Sequence, residues 1–264
     1  MNGIRTLDYH TGGEPLRIVV DGLPEIEGNT VLEKRRFMSE QLDRYRRFLM
    51  WEPRGHADMY GAVPLEPSTP DGDVGVLFLH NEGYSTMCGH GIIALVTAGI
   101  EHGLFEFDDP NEIRIDAPAG RITAKAHFDS GGAVDSVSFL NVPSFVLEPH
   151  FSVDVDGQAV EGCIAYGGAF YAYVEAGAFG FELTAGESAA IIRQGQAIKE
   201  AVNAHYDIWH PDGDEDLGFL YGTIFVRESG RPGHSRNACV FAQAELDRSP
   251  TGTGVSGRAA IHHA

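Results

Sequence analysis

The chain has 264 residues, 43% of them hydrophobic, and a formal net charge of −19. A chain of this length can bury a sizeable core, as one large domain or as two lobes. The acidic balance disfavours nucleic acid as a partner, because phosphate binding needs a basic face. The longest apolar run, at 91–100, is about half of the roughly 20 residues that a membrane-spanning helix needs, so no membrane association is expected.

The predicted elements form two series along the chain. Segments with alternating or β-branched residues, separated by Gly, Pro and Asp, predict strands at 4–9, 16–21, 74–80, 112–116, 121–128 and 134–140. Between 30 and 50, apolar residues recur at helical spacing. A similar order follows, with strands at 169–175, 219–226 and 238–242 and a helix over 185–205. These patterns predict an α+β protein with two domains, 1–140 and 141–264.

Two short segments repeat one pattern, in which a residue with a nucleophilic atom precedes Gly-x-Gly and a helix-like stretch. The first is Met-Cys-Gly-His-Gly at 87–91, and the second is Pro-Thr-Gly-Thr-Gly at 250–254. A helix start has unpaired N–H groups and about half a positive charge, and glycines let a ligand approach the backbone. The repeat therefore predicts two helix starts that can bind a carboxylate.

Cys88 and Thr251 occupy equivalent places in the two motifs but differ in acidity. A helix N-terminus can lower a cysteine pKa to roughly 3.5–7.5, which makes Cys88 a candidate general base. The Thr251 hydroxyl is too weakly acidic for this role without a strong activating partner, but it can donate a hydrogen bond or position a water. The alternative for Cys88 is a buried structural cysteine, since Cys packs as a small hydrophobic residue.

The motifs resemble those of the proline racemase superfamily, and they occur in the family's order over nearly the whole chain. They are His-Thr-Gly-Gly-Glu-Pro at 10–15, Glu-Pro-Arg-Gly-His-Ala-Asp-Met-Tyr-Gly at 52–61, the Cys88 motif, Tyr-Gly-Gly at 166–168 and Asp-Arg-Ser-Pro-Thr-Gly-Thr-Gly at 247–254. Racemases and hydroxyproline epimerases of that family have Cys in both halves. The branch with Thr in the second half, which 217–224 also resembles, dehydrates trans-3-hydroxy-L-proline.

This resemblance implies a diaminopimelate-epimerase-like fold. In that fold two pseudo-symmetric lobes are each a strand-rich barrel around a central helix, and the active site lies between the lobes. Family members usually continue well past the second motif, so the second lobe of this chain, which ends at Ala264, is expected to be shortened at its C-terminus.

Candidate substrate-binding residues surround the two candidate catalytic residues, Cys88 and Thr251. They are Gly89, His90, Asp247, Gly252, Thr253, Tyr60 and Phe241. The resemblance implies that Asp247 contacts the substrate amine and that the two aromatic residues wall the five-membered ring. The alternatives are a helix-capping role for His90, an N-cap or an ion pair with Arg248 for Asp247, and plain core positions for the aromatic residues.

The expected reaction is a dehydration that needs neither metal nor organic cofactor. Cys88 removes the Cα proton, the 3-hydroxyl leaves as water after protonation by Asp247, His90 or a water on Thr251, and a pyrroline-2-carboxylate results. One alternative is an epimerase or racemase with water near Thr251 as the second acid, and another is an inert imino-acid-binding relative. A cysteine hydrolase is a third, but no His and Asn or Asp pair is marked out around Cys88.

The remaining patterns argue against bound cofactors and indicate a reducing compartment. His56-Ala57-Asp58 and His262-His263 lack the spacing of a metal site, and no dinucleotide or Walker motif is present. Three cysteines without a Cys-x-x-Cys pair and an N-terminus without a signal-peptide core predict a cytoplasmic protein. A small imino acid is the expected partner, and a homodimer is one possible assembly.

Overall fold

The structure, a computed structural model, describes residues 3–231 and 234–264. The chain divides into two compact units, Met1–Val142 and Pro143–Ala264. Within the described residues, no helix combines the length and the apolar character needed to cross a bilayer.

Unit 1 is built on one mixed sheet with the strand order β1-β2-β3-β4-β6-β7-β8, and β5 pairs with β4. The strands are β1 (Arg5–Thr11), β2 (Glu14–Asp21), β3 (Tyr60–Leu65), β4 (Val74–His80), β5 (Tyr84–Ser85), β6 (Ile113–Ala117), β7 (Gly120–Phe128) and β8 (Val134–Leu140). The helices are α1 (Val31–Gln41), α2 (Asp43–Met50) and α3 (Gly89–His102). The helical periodicity over 30–50 thus belongs to two helices, which meet at Leu42.

The position of α3 explains why this sheet is curled. Every residue of β4 is buried, which suits a central strand with a continuous apolar run. Helix α3 contacts both β1 and β8, the strands at opposite ends of the sheet order. Its buried small residues, Ala94 and Ala98, allow close packing. The sheet therefore curls around α3 as a half-barrel, and the start of this helix is fixed relative to the strands.

Unit 2 has a six-stranded sheet with the order β14-β13-β12-β11-β10-β9. The strands are β9 (Phe145–Val155), β10 (Gln158–Tyr166), β11 (Phe170–Glu175), β12 (Leu220–Glu228), β13 (Ser235–Phe241) and β14 (Glu245–Leu246). The helices are α4 (Ser188–His205) and α5 (Gly252–His263), and α5 packs against β9, β10 and β11. The predicted helix over 185–205 begins later, because Ala185–Glu187 forms a 3₁₀ turn.

The two units share an order of elements. In unit 1, β1 and β2 are followed by surface helices, by β3 and β4, by the two-residue β5 and then by α3. In unit 2, β10 and β11 are followed by α4, by β12 and β13, by the two-residue β14 and then by α5. The strands on either side of the surface helices pair in parallel, β2 with β3 and β11 with β12. Cys88 and Thr251 thus precede equivalent helices.

Candidate active site

Cys88 is the N-cap residue of α3, and its side chain faces the helix start. The backbone is extended, with φ −146° and ψ 110°, and Sγ accepts a hydrogen bond from the Gly91 N–H at 3.2 Å. The thiol is 5% exposed and lies 3.2 Å from His90 Nδ1. An N-cap anion is stabilised both by the N–H group and by the positive end of the helix. The geometry thus suits a thiolate.

Glycine at position 91 is needed for this arrangement. A Cβ added to Gly91 would lie 2.8 Å from Phe78 Cε1 and 2.9 Å from Cys88 Sγ. Contacts this short force a neighbour to move, and the neighbour on one side is the thiol itself. The second glycine of the first motif therefore makes room for the sulfur above the helix start.

Tyr60 lies against the Cys88 motif although it comes from a separate strand, β3. Its ring centroid is 4.9 Å from that of His90, in an edge-on arrangement, and 5.9 Å from that of His80, in a stacked one. Its hydroxyl shares a 2.5 Å hydrogen bond with Ser85 Oγ. The predicted residues Tyr60, Cys88 and His90 are thus brought together in unit 1.

His80 and Ser85, which are buried beside Tyr60, are not among the residues that the sequence motifs predict for the site. His80 ends a strand whose six preceding residues, 74–79, carry no polar side chain. A polar residue at the end of such an apolar run is a signal that could have marked His80. Ser85 stands in no motif, and its contact with Tyr60 depends on the pairing of β4 with both β3 and β5.

Thr251 precedes α5 with a different backbone and a different side-chain role. Its φ is 62° and its ψ is 87°, in the left-handed region that β-branched residues rarely adopt. Thr251 Oγ1 donates a hydrogen bond to Asp247 Oδ2 at 2.6 Å, and its N–H donates to Ser249 Oγ at 3.0 Å. The other oxygen of Asp247 accepts from Ser249 N–H at 2.7 Å. These bonds hold a strained residue, of the kind that clusters at functional sites.

The glycines and the threonine that follow Thr251 are fitted tightly to the sheet of unit 2. Gly252 is the first residue of α5. Thr253 Oγ1 and Tyr171 OH are 2.8 Å apart and buried, and burial raises the pKa of Tyr171 well above its usual value. A Cβ on Gly254 would lie 2.4 Å from Ile224 Cδ1. The hydroxyl of Thr253 is therefore engaged with the sheet, while Gly252 opens the helix.

Phe241 lies at the end of β13, where it is 4% exposed. Its ring centroid is 5.6 Å from that of Tyr221, which in turn lies 5.9 Å from that of Tyr171. Phe241 thus forms part of a packed aromatic cluster in unit 2. The structure places Phe241, Asp247, Thr251, Gly252 and Thr253 along one continuous stretch, from the end of β13 to the start of α5.

The comparisons with known proteins agree on one family. The family model described as proline racemase matches residues 6–264. The trans-3-hydroxy-L-proline dehydratase of Colwellia psychrerythraea is 49% identical over 264 residues, which cover 99% of this chain and 74% of that protein. The human protein of the same name is 46% identical, over 98% of this chain and 75% of its own.

A solved structure is similar to the whole chain. The hydroxyproline epimerase of Agrobacterium vitis, determined with bound trans-4-hydroxy-L-proline, has a TM-score of 0.91 and 28% sequence identity. The match covers 98% of this chain and 76% of the epimerase. The mixed fold of two curled sheets is therefore the fold of this group of enzymes.

Proposed function

Since the chain belongs to the proline racemase family, we propose that it dehydrates trans-3-hydroxy-L-proline to a pyrroline-2-carboxylate, without a metal or an organic cofactor. Relatives that are 46% and 49% identical carry the name of this activity. The observation that carries the proposal is the opposite polarity of the hydrogen bonds at the two helix starts. Cys88 Sγ accepts a hydrogen bond, whereas Thr251 Oγ1 donates one to a carboxylate.

Cys88 supplies the base in the proposed reaction. Its thiolate, stabilised by the Gly91 N–H and by the helix field, removes the Cα proton and becomes a thiol. The electron pair of the broken C–H bond moves into the substrate carboxylate, which acquires enediolate character. N–H groups at helix starts stabilise such developing charge, because they are oriented before the reaction begins.

Asp247 and Thr251 assist the departure of the 3-hydroxyl. Thr251 Oγ1 donates a hydrogen bond to Asp247 Oδ2 at 2.6 Å and can accept one from a water at the same time. This water gives a proton to the leaving oxygen, and the hydroxide that remains takes up the proton that Cys88 removed. Water leaves as the enediolate collapses and the Cα–Cβ double bond forms. The resulting enamine then tautomerises to the cyclic imine. The proposal assigns Cys88 and the Asp247–Thr251 pair to one substrate molecule.

Epimerisation is the nearest alternative, and the environment of Thr251 argues against it. Inversion at Cα needs a second group that exchanges a proton on the opposite face of the ring. Thr251 has a hydroxyl in that role, and this hydroxyl already donates to a carboxylate. An alkoxide beside an anionic carboxylate is strongly disfavoured, so Thr251 is a poor second base.

The test is incubation of the protein with trans-3-hydroxy-L-proline, with trapping of the imine product and chiral analysis of the remaining substrate. Dehydration produces imine in proportion to substrate lost. Epimerisation changes the optical rotation without imine, and an inert binding relative shows only a higher melting temperature. Imine formation that persists in a folded Cys88→Ser variant would contradict the assignment of the base. A cytoplasmic location and a homodimer remain predictions of the sequence.

A further inference from the structure

The turn between β13 and β14 has an unfavourable backbone and leads directly to the Thr251 motif. Ala242 and Ala244 both have positive φ, 50° and 70°. Residues with a Cβ are disfavoured in this left-handed region. Three residues after Ala244 comes Asp247, the hydrogen-bond partner of Thr251. The path of the chain through this turn therefore affects where the Asp247–Thr251 pair lies.

Lys199, on helix α4, contacts this turn. Its Nζ donates a hydrogen bond to the carbonyl oxygen of Ala242. Helix α4 lies close to the sheet at this point, because a Cβ on Gly195 would be only 2.7 Å from Val240 Cβ. Thr223 Oγ1 of β12 donates to the Gly195 carbonyl at 2.9 Å. The close packing at Gly195 and its hydrogen bond from Thr223 thus fix the distance between the sheet and the helix turn that carries Lys199.

The charges around Lys199 fit a fixed ammonium group. Burial lowers its pKa, while the carboxylates of Glu200 and of Glu245 in β14 oppose that shift. Glu245 is 4% exposed and lies between Ala244 and the Asp247 segment. A half-buried cation that has both a carbonyl partner and a neighbouring carboxylate holds its place better than a cation on the surface.

Unit 1 has a cation in the equivalent place. Arg46 of α2 donates to the carbonyl of His80 at 3.1 Å and to the carbonyl of Asn81 in the turn between β4 and β5. That turn leads through β5 to Cys88, as the β13–β14 turn leads through β14 to Thr251. In both units, a helix connects two parallel strands and carries a cationic side chain. This cation donates to at least one backbone carbonyl shortly before the segment that leads to the candidate catalytic residue.

We infer that Lys199 is a positioning residue of the reaction: its ammonium fixes the β13–β14 turn and, through it, the Asp247–Thr251 pair. Lys199 touches neither substrate nor reacting atoms in this role. The catalytic consequence rests on the proposed dehydration, whereas the positioning of position 251 can be measured without it.

The kinetic test compares Lys199→Met with Lys199→Arg and with Arg193→Met, which removes an exposed cation from the same helix. We expect Lys199→Met to lower kcat about 10-fold with KM within threefold, since a misplacement of about 1 Å costs on the order of 10²-fold. Lys199→Arg keeps the charge and the donor, so it should restore kcat to within threefold of the parent. Arg193→Met should match the parent. An unchanged kcat in Lys199→Met overturns the inference.

The second measurement does not depend on activity. In a Thr251→Cys background, the iodoacetamide labelling rate of the introduced thiol is followed by mass spectrometry, with Cys88 as the internal reference. Adding Lys199→Met should change the rate at position 251 at least threefold and leave Cys88 within 1.5-fold. Equal rates at position 251 in a folded protein overturn the inference. If the Met variant does not fold, Lys199→Gln, whose amide ends one bond short of the ammonium, replaces it under the same criteria.

This pair of tests separates the two proposals. If the parent produces no imine, the proposed function fails, yet the labelling rates still decide whether Lys199 positions residue 251. If imine forms and the labelling rates are equal with and without Lys199, the positioning role fails and the dehydration stands.

Discussion

The starts of α3 and α5 occupy equivalent places in the two units, but their side chains have opposite hydrogen-bonding roles. Cys88 has an extended backbone, and its sulfur accepts a hydrogen bond from an N–H group of its own helix. Thr251 has a left-handed backbone and donates a hydrogen bond to Asp247. A repeated topology therefore supplies a positive helix end twice, while the local chain path decides whether the residue there is stabilised as an anion or kept protonated.

The length of the connection to each helix explains part of this difference. Two residues, 86–87, separate β5 from Cys88, whereas four residues, 247–250, separate β14 from Thr251. The longer connection carries Asp247 and lets it fold back onto the threonine hydroxyl. The Cys88 sulfur accepts a hydrogen bond from an N–H group, whereas the Thr251 hydroxyl donates one to a carboxylate. Of the two residues, only Cys88 is therefore suited to lose its proton.

The largest expected effect is that of Cys88→Ser, which removes the base from one side of the comparison. A serine hydroxyl forms no appreciable anion near neutral pH, so kcat should fall about 10²–10⁴-fold, the usual contribution of a positioned general base. Steady-state imine formation measures the loss, and circular dichroism checks the fold. Cys163→Ser is the matched control, because Cys163 lies on β10, outside both helix-start motifs, and should retain activity.

Thr251→Cys makes the two helix starts chemically alike. A thiolate at position 251 provides a base for the second face of the ring, so the variant should exchange the Cα proton of L-proline and form deuterated D-proline in heavy water. Dehydration should fall by on the order of 10²-fold, because the Thr251 hydroxyl that holds the proton-donating water is lost. A folded variant whose new thiol alkylates readily but which inverts no Cα would refute the two-faced assignment.

The pH dependence of alkylation compares two cysteines of the same chain. Burial raises the pKa of Cys163, so its thiolate forms only at a pH above that of an ordinary thiol. The helix start should give Cys88 the opposite behaviour, with a midpoint below about 8.5, the value of a free cysteine. At pH 7, peptide-resolved iodoacetamide labelling should therefore be at least about 10-fold faster at Cys88. A Cys88 rate that rises only above pH 8.5 would show that the helix does not tune this thiol.

Gly91→Ala tests how closely the thiol is fitted to the helix. The added Cβ would crowd Phe78 and the Cys88 sulfur at 2.8 and 2.9 Å. Overpacking of this kind costs about 1–3 kcal/mol, so both the free energy of unfolding and the labelling rate of Cys88 should fall. Denaturant unfolding measures the first and mass spectrometry the second. Gly103→Ala lacks a steric clash but has a positive φ, so it should lose stability without changing the labelling of Cys88.

The smallest expected effect concerns the buried contact behind the second helix start. Tyr171→Phe removes the hydrogen bond to Thr253 Oγ1, which should lower the free energy of unfolding by about 1 kcal/mol. Tyr173→Phe removes a comparable 2.9 Å bond to the Gly254 carbonyl and is the matched variant. Chemical denaturation compares the two. A kcat loss above about 10-fold in Tyr171→Phe would assign Thr253 a role beyond packing.

Local patterns in the sequence determine where the two helix starts lie, which family the motifs indicate and which reaction is expected. Gly-x-Gly after Cys88 and Thr251 identifies both helix starts, because capping and close approach depend on neighbouring residues. The order of motifs identifies the family, and the pair of Cys and Thr predicts the reaction. Strand β3 (Tyr60–Leu65) is not among the strands that the sequence predicts, because its register depends on pairing with β2 and β4 rather than on a local alternation.

Only the tertiary structure decides how the identified residues are used. The left-handed φ of Thr251 and the direction of its bond to Asp247 depend on where β14 leaves the sheet. The contact of Tyr60 with His90 joins β3 to α3, and the bond from Lys199 to Ala242 joins α4 to a turn 43 residues away. Sequence patterns report residues that are neighbours along the chain, whereas hydrogen-bond polarity at these helix starts is set by groups that meet only when the sheets form.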